Sequence, residues 1–294
     1  MSEFISIDPA HTPVPQMHQY LVGSVAPRPI AFVSSLSATG ERNLAPYSFF
    51  NVFGAKPPIV VFSPNHRVKD QTAKDTYHNV MATRECVINM VSYEMTHQMS
   101  LASAEYPAEV DEFVKAGFTP LPSEVVGAPR VAESPVQMEC KVRDIVSMGA
   151  GGGAANLVIC EVVRMHVRTD ILDENGTIDP HKIDLVSRMG KMYYARASGA
   201  AVFALPQPGG VLGIGFDQLP AAIRHSAVLT GRHLAQLASF TAIPSPSDAI
   251  LSEPRVMDAL AGNAQDRDLH LHRFAAELID QGAVEKAWQV LLAE

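Results

Sequence analysis

Apolar and polar residues alternate along much of the chain up to about residue 200, and the spacing becomes helical beyond it. Pro29–Ser37 (PIAFVSSLS) predicts a strand, and Ala38-Thr39-Gly40-Glu41 a turn. Ala45–Phe53 and Ile59–Ser63 predict two more strands around a loop, so the first three strands are expected to be antiparallel neighbours. Asp70–Arg84 predicts a helix, with Val80 and Met81 about a turn beyond Thr76 and Tyr77. Glu85–Val91 predicts a strand. Ser92 reads as the N-cap of a helix carrying Met95, Met99 and Ala102. Val136–Ile145 and Asn156–Arg168 alternate as strands with one buried side do. The proline-spaced residues 1–27 read as mostly irregular. Residues 106–134, rich in Pro, Gly and charge, read as a long connection, and residues 181–204 are mixed around SRMGKMYYAR.

The character changes near Gln207-Pro208-Gly209-Gly210. Pro220 suits a first helical position ahead of Ile223, and Thr230 suits the cap of a helix carrying Leu234 and Leu237. Residues 244–254 are rich in Pro and Ser. Asp266–Asp280 places Leu271, Phe274, Leu278 and Ile279 on one face, Gly282 ends it, and Val284–Leu292 is a last helix. Strands come first and helices last. That order predicts a mainly β core, residues 1–204, and a helical extension, residues 205–294, rather than βαβ units.

The composition narrows the class. The 294 residues are 47% hydrophobic and 18% charged, with a formal net charge of −8. Nothing is basic enough for a binder of phosphate backbones, so nucleic acid is not an expected partner. Cys86, Cys140 and Cys160 are odd in number and widely spaced, which predicts reduced packing thiols rather than disulfides or a zinc knuckle. The stretch MSEFISIDPAHTPVPQ has neither a basic region nor an apolar run, and no segment approaches the ~20 apolar residues of a membrane span. A cytoplasmic protein is expected.

Candidate chemistry concentrates in one region. The run Gly149–Ala154 matches G-x-G-x-x-A, but a dinucleotide loop must open a helix, and this one leads into the strand NLVICEVVRMHV. It reads as a flexible hairpin loop. His270 and His272 point to different faces of a helix and read as surface residues. RNLAPYSFFN is a poor plain strand: Asn43, Pro46, Ser48 and Asn51 replace the β-branched residues a strand favours. Pro46 interrupts the ladder and frees neighbouring backbone groups, which suit the edge of a heteroaromatic ring. Ser34 and Ser35 add hydroxyls upstream. Ser63, Arg67, Lys74 and Thr76 add hydroxyls and two cations downstream, a set that suits a phosphate. From the residues alone, a polar edge strand and a solvated basic turn are the more ordinary reading.

The order of these blocks adds a resemblance. P-R-P at 27–29, N-L-A-P-Y-S-F-F-N at 43–51, P-P at 57–58, K-D-T-x-x-N at 74–79 and a strand ending in Asn89 resemble the flavin reductase-like family, over roughly residues 20–200. The resemblance implies a Greek-key split β-barrel that binds FMN, flanked by helices, with the helical extension outside it. It implies a homodimer with flavin near the subunit interface. Ser34, Ser35 and Leu36, with Asn43, Leu44, Ala45, Pro46, Ser48 and Asn51, would line the isoalloxazine and ribityl groups. Ser63, Arg67, Lys74 and Thr76 would lie near the phosphate, and Asp75 would support them. His166 would sit near the nicotinamide and act in catalysis. Tyr193, in an R-x-G-x-x-Y segment with Arg188 and Gly190, would touch flavin from the far side.

The implied activity is hydride transfer from NADH or NADPH to FMN, as a free-standing reductase or as the partner of a monooxygenase. Such chemistry belongs to the cofactors and needs no catalytic triad from the chain. Two relatives of that activity also suit the fold: an FMN-bound electron carrier, and an enzyme that acts on an organic substrate. A structural or binding barrel without flavin is the fourth reading.

Overall fold

A computed structural model describes residues 4–205 and 207–293. The first three residues of the N-terminal stretch, and Pro206 and Glu294 of the extension, lie outside the described residues. The chain divides into two compact units, Met1–Phe203 and Ala204–Glu294.

The first unit opens with helix α1, Val14–Ser24, where proline spacing predicts irregular chain. Pro13 and Pro15 stand at its start, where a missing N–H costs nothing, so these prolines begin a helix rather than prevent one. Strands β1 (Ala31–Leu36), β2 (Arg42–Tyr47), β3 (Phe50–Ala55), β4 (Pro58–Phe62) and β5 (Glu85–Met90) follow, with α2 (Asp75–Thr83) before β5. Then come α3 (Thr96–Leu101) and α4 (Glu112–Ala116), short strands β6 (Pro120–Leu121) and β7 (Arg130–Val131), long strands β8 (Val136–Ser147) and β9 (Asn156–Val167), and a small hairpin, β10 (Val186–Arg188) and β11 (Tyr194–Arg196). Residues 106–134 are therefore more than a connection, because Asp111 caps α4 by accepting from Phe113 N–H.

The seven main strands run in the order β2-β1-β5-β8-β9-β4-β3, each antiparallel to its neighbours. The predicted single strand Ala45–Phe53 is in fact two. Its halves are the two edges of the sheet, joined through Ser48 and Phe49. The sequential antiparallel pairing expected of the first three predicted strands holds, each half taking one neighbour: β2 pairs with β1 and β3 with β4. Pro46 lies in an edge strand, where proline is tolerated.

Alternation sorts the strands into two faces. Ala31, Val33, Tyr47, Phe62, Cys86, Ile88, Cys140 and Cys160 form one core. The three cysteines are buried free thiols, as expected. Phe32 and Leu44, on the other face, pack with Met95, Met99 and Phe113, which fulfils the helical spacing read at Met95 and Met99. Helix α2 begins at Asp75 rather than Asp70 because residues 67–73 close a turn: Arg67 N–H donates to Thr72 O at 2.9 Å, and Gln71 N–H to Arg67 O at 2.9 Å.

The second unit is helical: α5 (Ala221–Arg224), α6 (Gly231–Ala238), α7 (Pro254–Leu260), α8 (Ala264–Asp280) and α9 (Val284–Leu291). Thr230 caps α6 in a reciprocal capping box with His233. Its core gathers Leu234, Leu237, Leu271, Phe274 and Trp288. His272 corrects the surface reading: it is 9% exposed, and its Nδ1 lies 2.8 Å from Ser226 Oγ. Among the described residues no helix is long and apolar enough to cross a membrane.

Candidate functional site

A cleft of about 110 Å³ in the first unit lies where β2, α2 and the segment after α3 meet. Asn43, Ala45, Pro46, Tyr47, Arg67, Lys74 and Asp75 line it, together with Ala102–Tyr106 and Glu112. A larger concavity, about 810 Å³, is a groove of the helical unit between residues 240–254 and α9. Its Lys286 is already paired with Glu253 at 2.9 Å, and it gathers no convergent cations. The smaller cleft holds the chemistry.

Two cations reach that cleft in different states. Arg67 is engaged: Nη1 donates to Ala73 O at 2.7 Å, Nη2 stands 3.7 Å from Asp75, and Nε stands 3.3 Å from Glu105. Lys74 is not. Its Nζ has no hydrogen-bond or carboxylate partner among the described residues and hangs 5.3 Å from the centre of the Tyr47 ring. Burial, and then the Arg67 charge, hold its pKa below the usual lysine range. The Tyr47 hydroxyl is likewise buried with no partner of good geometry among the described residues, although Thr76 is close. Burial pushes that phenol well above its ordinary value. Lys74 is also the N-cap of α2, whose first N–H groups have no intrahelical partner. An ammonium and a hydroxyl with no partner among the described residues, and an open helix start, form a set of donors at one cleft, whose carboxylates Asp75 and Glu105 face Arg67 and whose Glu112 accepts from Leu44 N–H. That set suits an oxyanion.

The polar residues behind the cleft brace it. Asn43 Nδ2 donates to Ser35 Oγ at 3.1 Å and to Thr76 Oγ1 at 2.8 Å, and Asn79 Nδ2 donates to Ser35 Oγ at 3.1 Å. This network ties β1, β2 and α2 together. Glu112, absent from the sequence reading, accepts from Leu44 N–H at 3.0 Å. Burial raises its pKa, against the pull of that hydrogen bond. A carboxylate inside a stretch that scans as a loop gives no periodic signal of its own.

Of the residues singled out in the sequence, the cleft brings together Asn43, Ala45, Pro46, Arg67 and Lys74, with Ser35 and Thr76 bonded to Asn43 behind it. The rest lie elsewhere in the single chain. Ser34 and Leu44 occupy the opposite face: the Ser34 hydroxyl donates to Pro129 O, and Leu44 is core. Leu36 packs on that face near Val87 and Val126. Ser35 and Ser34 cannot both face one ligand, because adjacent strand residues point to opposite sides. Ser63 Oγ donates to Asn65 Oδ1 at 2.6 Å and accepts from Asn156 N–H at 3.0 Å. Ser48 is half-buried in the β2–β3 turn, Asn51 is exposed on β3, and Tyr193 is exposed in the β10–β11 turn.

His166 is bonded outside this cleft. Its Nε2 lies 2.7 Å from Glu139 Oε1, and Glu139 also accepts from Glu124, Val125 and Val126 N–H at 2.9, 2.6 and 3.1 Å. Burial opposes its charge, but those three N–H groups and His166 together hold the Glu139 carboxyl down to about 2. The pair clamps the 124–126 segment over the barrel and does not line the cleft.

The family model described as "Flavin reductase like domain" matches residues 23–196. The chain belongs to the flavin reductase-like family. The family region holds the split barrel, the cleft and every residue of the brace. An uncharacterised protein of Aquifex aeolicus is 40% identical over 183 residues, 62% of this chain and 91% of that protein. Among solved structures, nitrilotriacetate monooxygenase component B from Bacillus cereus is 30% identical with a TM-score of 0.65, over 70% of this chain and 100% of that one. The 2-nitrobenzoate 2-nitroreductase of Pseudomonas fluorescens is also 30% identical, with a TM-score of 0.61, over 69% of this chain and 96% of that one. All three likenesses leave part of this chain uncovered.

Proposed function

We propose that this chain is an NAD(P)H-dependent flavin reductase that binds FMN. The observation that carries the reading is the half-buried Lys74 ammonium, without a partner among the described residues, at the open start of α2, beside the buried Tyr47 hydroxyl, in a chain of this family. A cleft of about 110 Å³ suits a phosphate rather than a ring system. Lys74, Tyr47 and the first N–H groups of α2 would hold that phosphate, with Arg67 fixing the turn beside them. The edge of β2, from Ala45 to Ser48, would receive the ribityl chain and the ring, because an edge strand keeps free backbone groups for a ligand.

Bound FMN supplies the acceptor for a hydride from NADH or NADPH. The chain's own part is to bind, orient and exclude water. It need hold no proton donor at the reacting atoms, which is consistent with His166 being bonded to Glu139. Exposed Val52 and Phe53 on edge strand β3, 66% and 69% accessible, support a homodimer.

The likeness to a monooxygenase component supports a role as the reductase of a two-component system. The likeness to a nitroreductase favours a second reading, in which the same electrons reach an organic nitro compound. The test is anaerobic absorbance spectroscopy of the purified chain with FMN. Fast bleaching of the oxidised flavin band by NADH or NADPH, well above that of free FMN, is the expected result. A bound flavin that neither nucleotide bleaches would remove the reductase reading.

A further inference from the structure

The glycine run between β8 and β9 leads into a strand and docks on the turn that carries Arg67. His66 N–H donates to Ala154 O at 3.0 Å, Gly153 N–H donates to His66 O at 3.1 Å, and Asn65 Nδ2 donates to Gly153 O at 3.2 Å. Gly152 marks the closest approach of the two backbones. A β-carbon there would stand 2.8 Å from Val68 O, 3.1 Å from Val68 Cα and 3.2 Å from Arg67 O. All three are main-chain atoms, so no change of rotamer relieves the contact. The turn has little room to yield on its other side. Gln71 N–H donates to Arg67 O at 2.9 Å, and the Arg67 guanidinium donates to Ala73 O at 2.7 Å, one residue before Lys74. A push at Gly152 therefore displaces the guanidinium or the start of α2. The neighbouring Gly151 meets nothing within 4 Å.

We propose that Gly152 is a positioning residue for the oxyanion end of the flavin site. The missing side chain lets the β8–β9 loop close on residues 66–68, so that the Arg67 turn sets Lys74 and the start of α2 against the ligand's phosphate. The inference rests on the flavin reading above. The same observation corrects the expectation of a flexible hairpin: the loop is a backbone-to-backbone junction.

The test compares Gly152→Ala, Gly151→Ala and the native full-length chain in titrations with FMN and with riboflavin, which lacks the phosphate. Gly152→Ala should weaken FMN about tenfold and riboflavin by less than about twofold, so that the preference for FMN is largely lost. Gly151→Ala should match the native chain. Asn65→Ala, a milder loosening of the junction, should lower the FMN preference about two- to threefold and keeps the test open if Gly152→Ala fails to fold. A purely structural role would lower the melting temperature and leave the FMN-to-riboflavin ratio unchanged. An unchanged ratio in folded Gly152→Ala, or in Asn65→Ala where Gly152→Ala does not fold, overturns the inference alone. Failure of the native chain to bind FMN overturns the flavin reading and this inference with it.

Discussion

Glu139 and Lys74 are both charged groups taken from water, with opposite outcomes. Glu139 is saturated by three backbone N–H groups and His166, so its charge braces the fold. Lys74 has no carboxylate partner among the described residues, and the proposed phosphate would supply one. The difference is testable through pH. The Glu139 carboxyl titrates near 2 when folded, below its value in the unfolded chain. The stability it contributes is thus fully present above about pH 4.5 and is lost as pH falls toward about 2. Urea midpoints should fall steeply across that window in the native chain. In Glu139→Gln they should start lower near pH 7, by about 2–4 kcal/mol in stability, and fall less steeply. Parallel pH slopes in the two proteins would contradict the assignment. His166 itself was visible in the sequence as a polar residue on an alternating strand. Its partner was not, because Glu139 lies 27 residues away on a neighbouring strand.

At the scale of elements, the sequence marked β2–β3 as abnormal but not the reason. Asn43, Pro46 and Ser48 were legible as poor strand residues, and Lys74 and Arg67 as cations suited to an anion. The break at Ser48–Phe49 was not legible, because strand pairing is non-local: β2 pairs with β1, and β3 with β4. Helix α1 was hidden by prolines that read as breakers. The two faces of β1 were implicit in its alternation, yet grouping Ser34 with Ser35 overlooked them. The structure also changes what Asn43 is expected to do. Its amide joins β1, β2 and α2 from within, so Asn43→Ala should destabilise the barrel by about 1–3 kcal/mol. Ser48→Ala, in a half-buried turn with no side-chain hydrogen bond among the described residues, should stay within about 0.5 kcal/mol. Denaturant midpoints check both, and a neutral Asn43→Ala would show that the network is not what holds β2 in place.

For the whole molecule, the compositional change at residues 207–210 was visible because alternation stops there and helical spacing begins. The helical unit has its own apolar core around the single tryptophan, Trp288, which is fully buried and donates to Leu237 O at 3.3 Å. The proposed flavin chemistry draws on the first unit alone, since every cleft residue lies there. All of it turns on whether the cleft is an anion site. The most direct measurement is a calorimetric titration of the full-length chain and its Lys74→Met variant with FMN and with riboflavin. The native chain should prefer FMN, and Lys74→Met should lose at least about tenfold in FMN affinity while keeping riboflavin within about twofold. Equal affinities for the two flavins in the native chain, or an unchanged FMN affinity in Lys74→Met, would contradict a phosphate site at the start of α2.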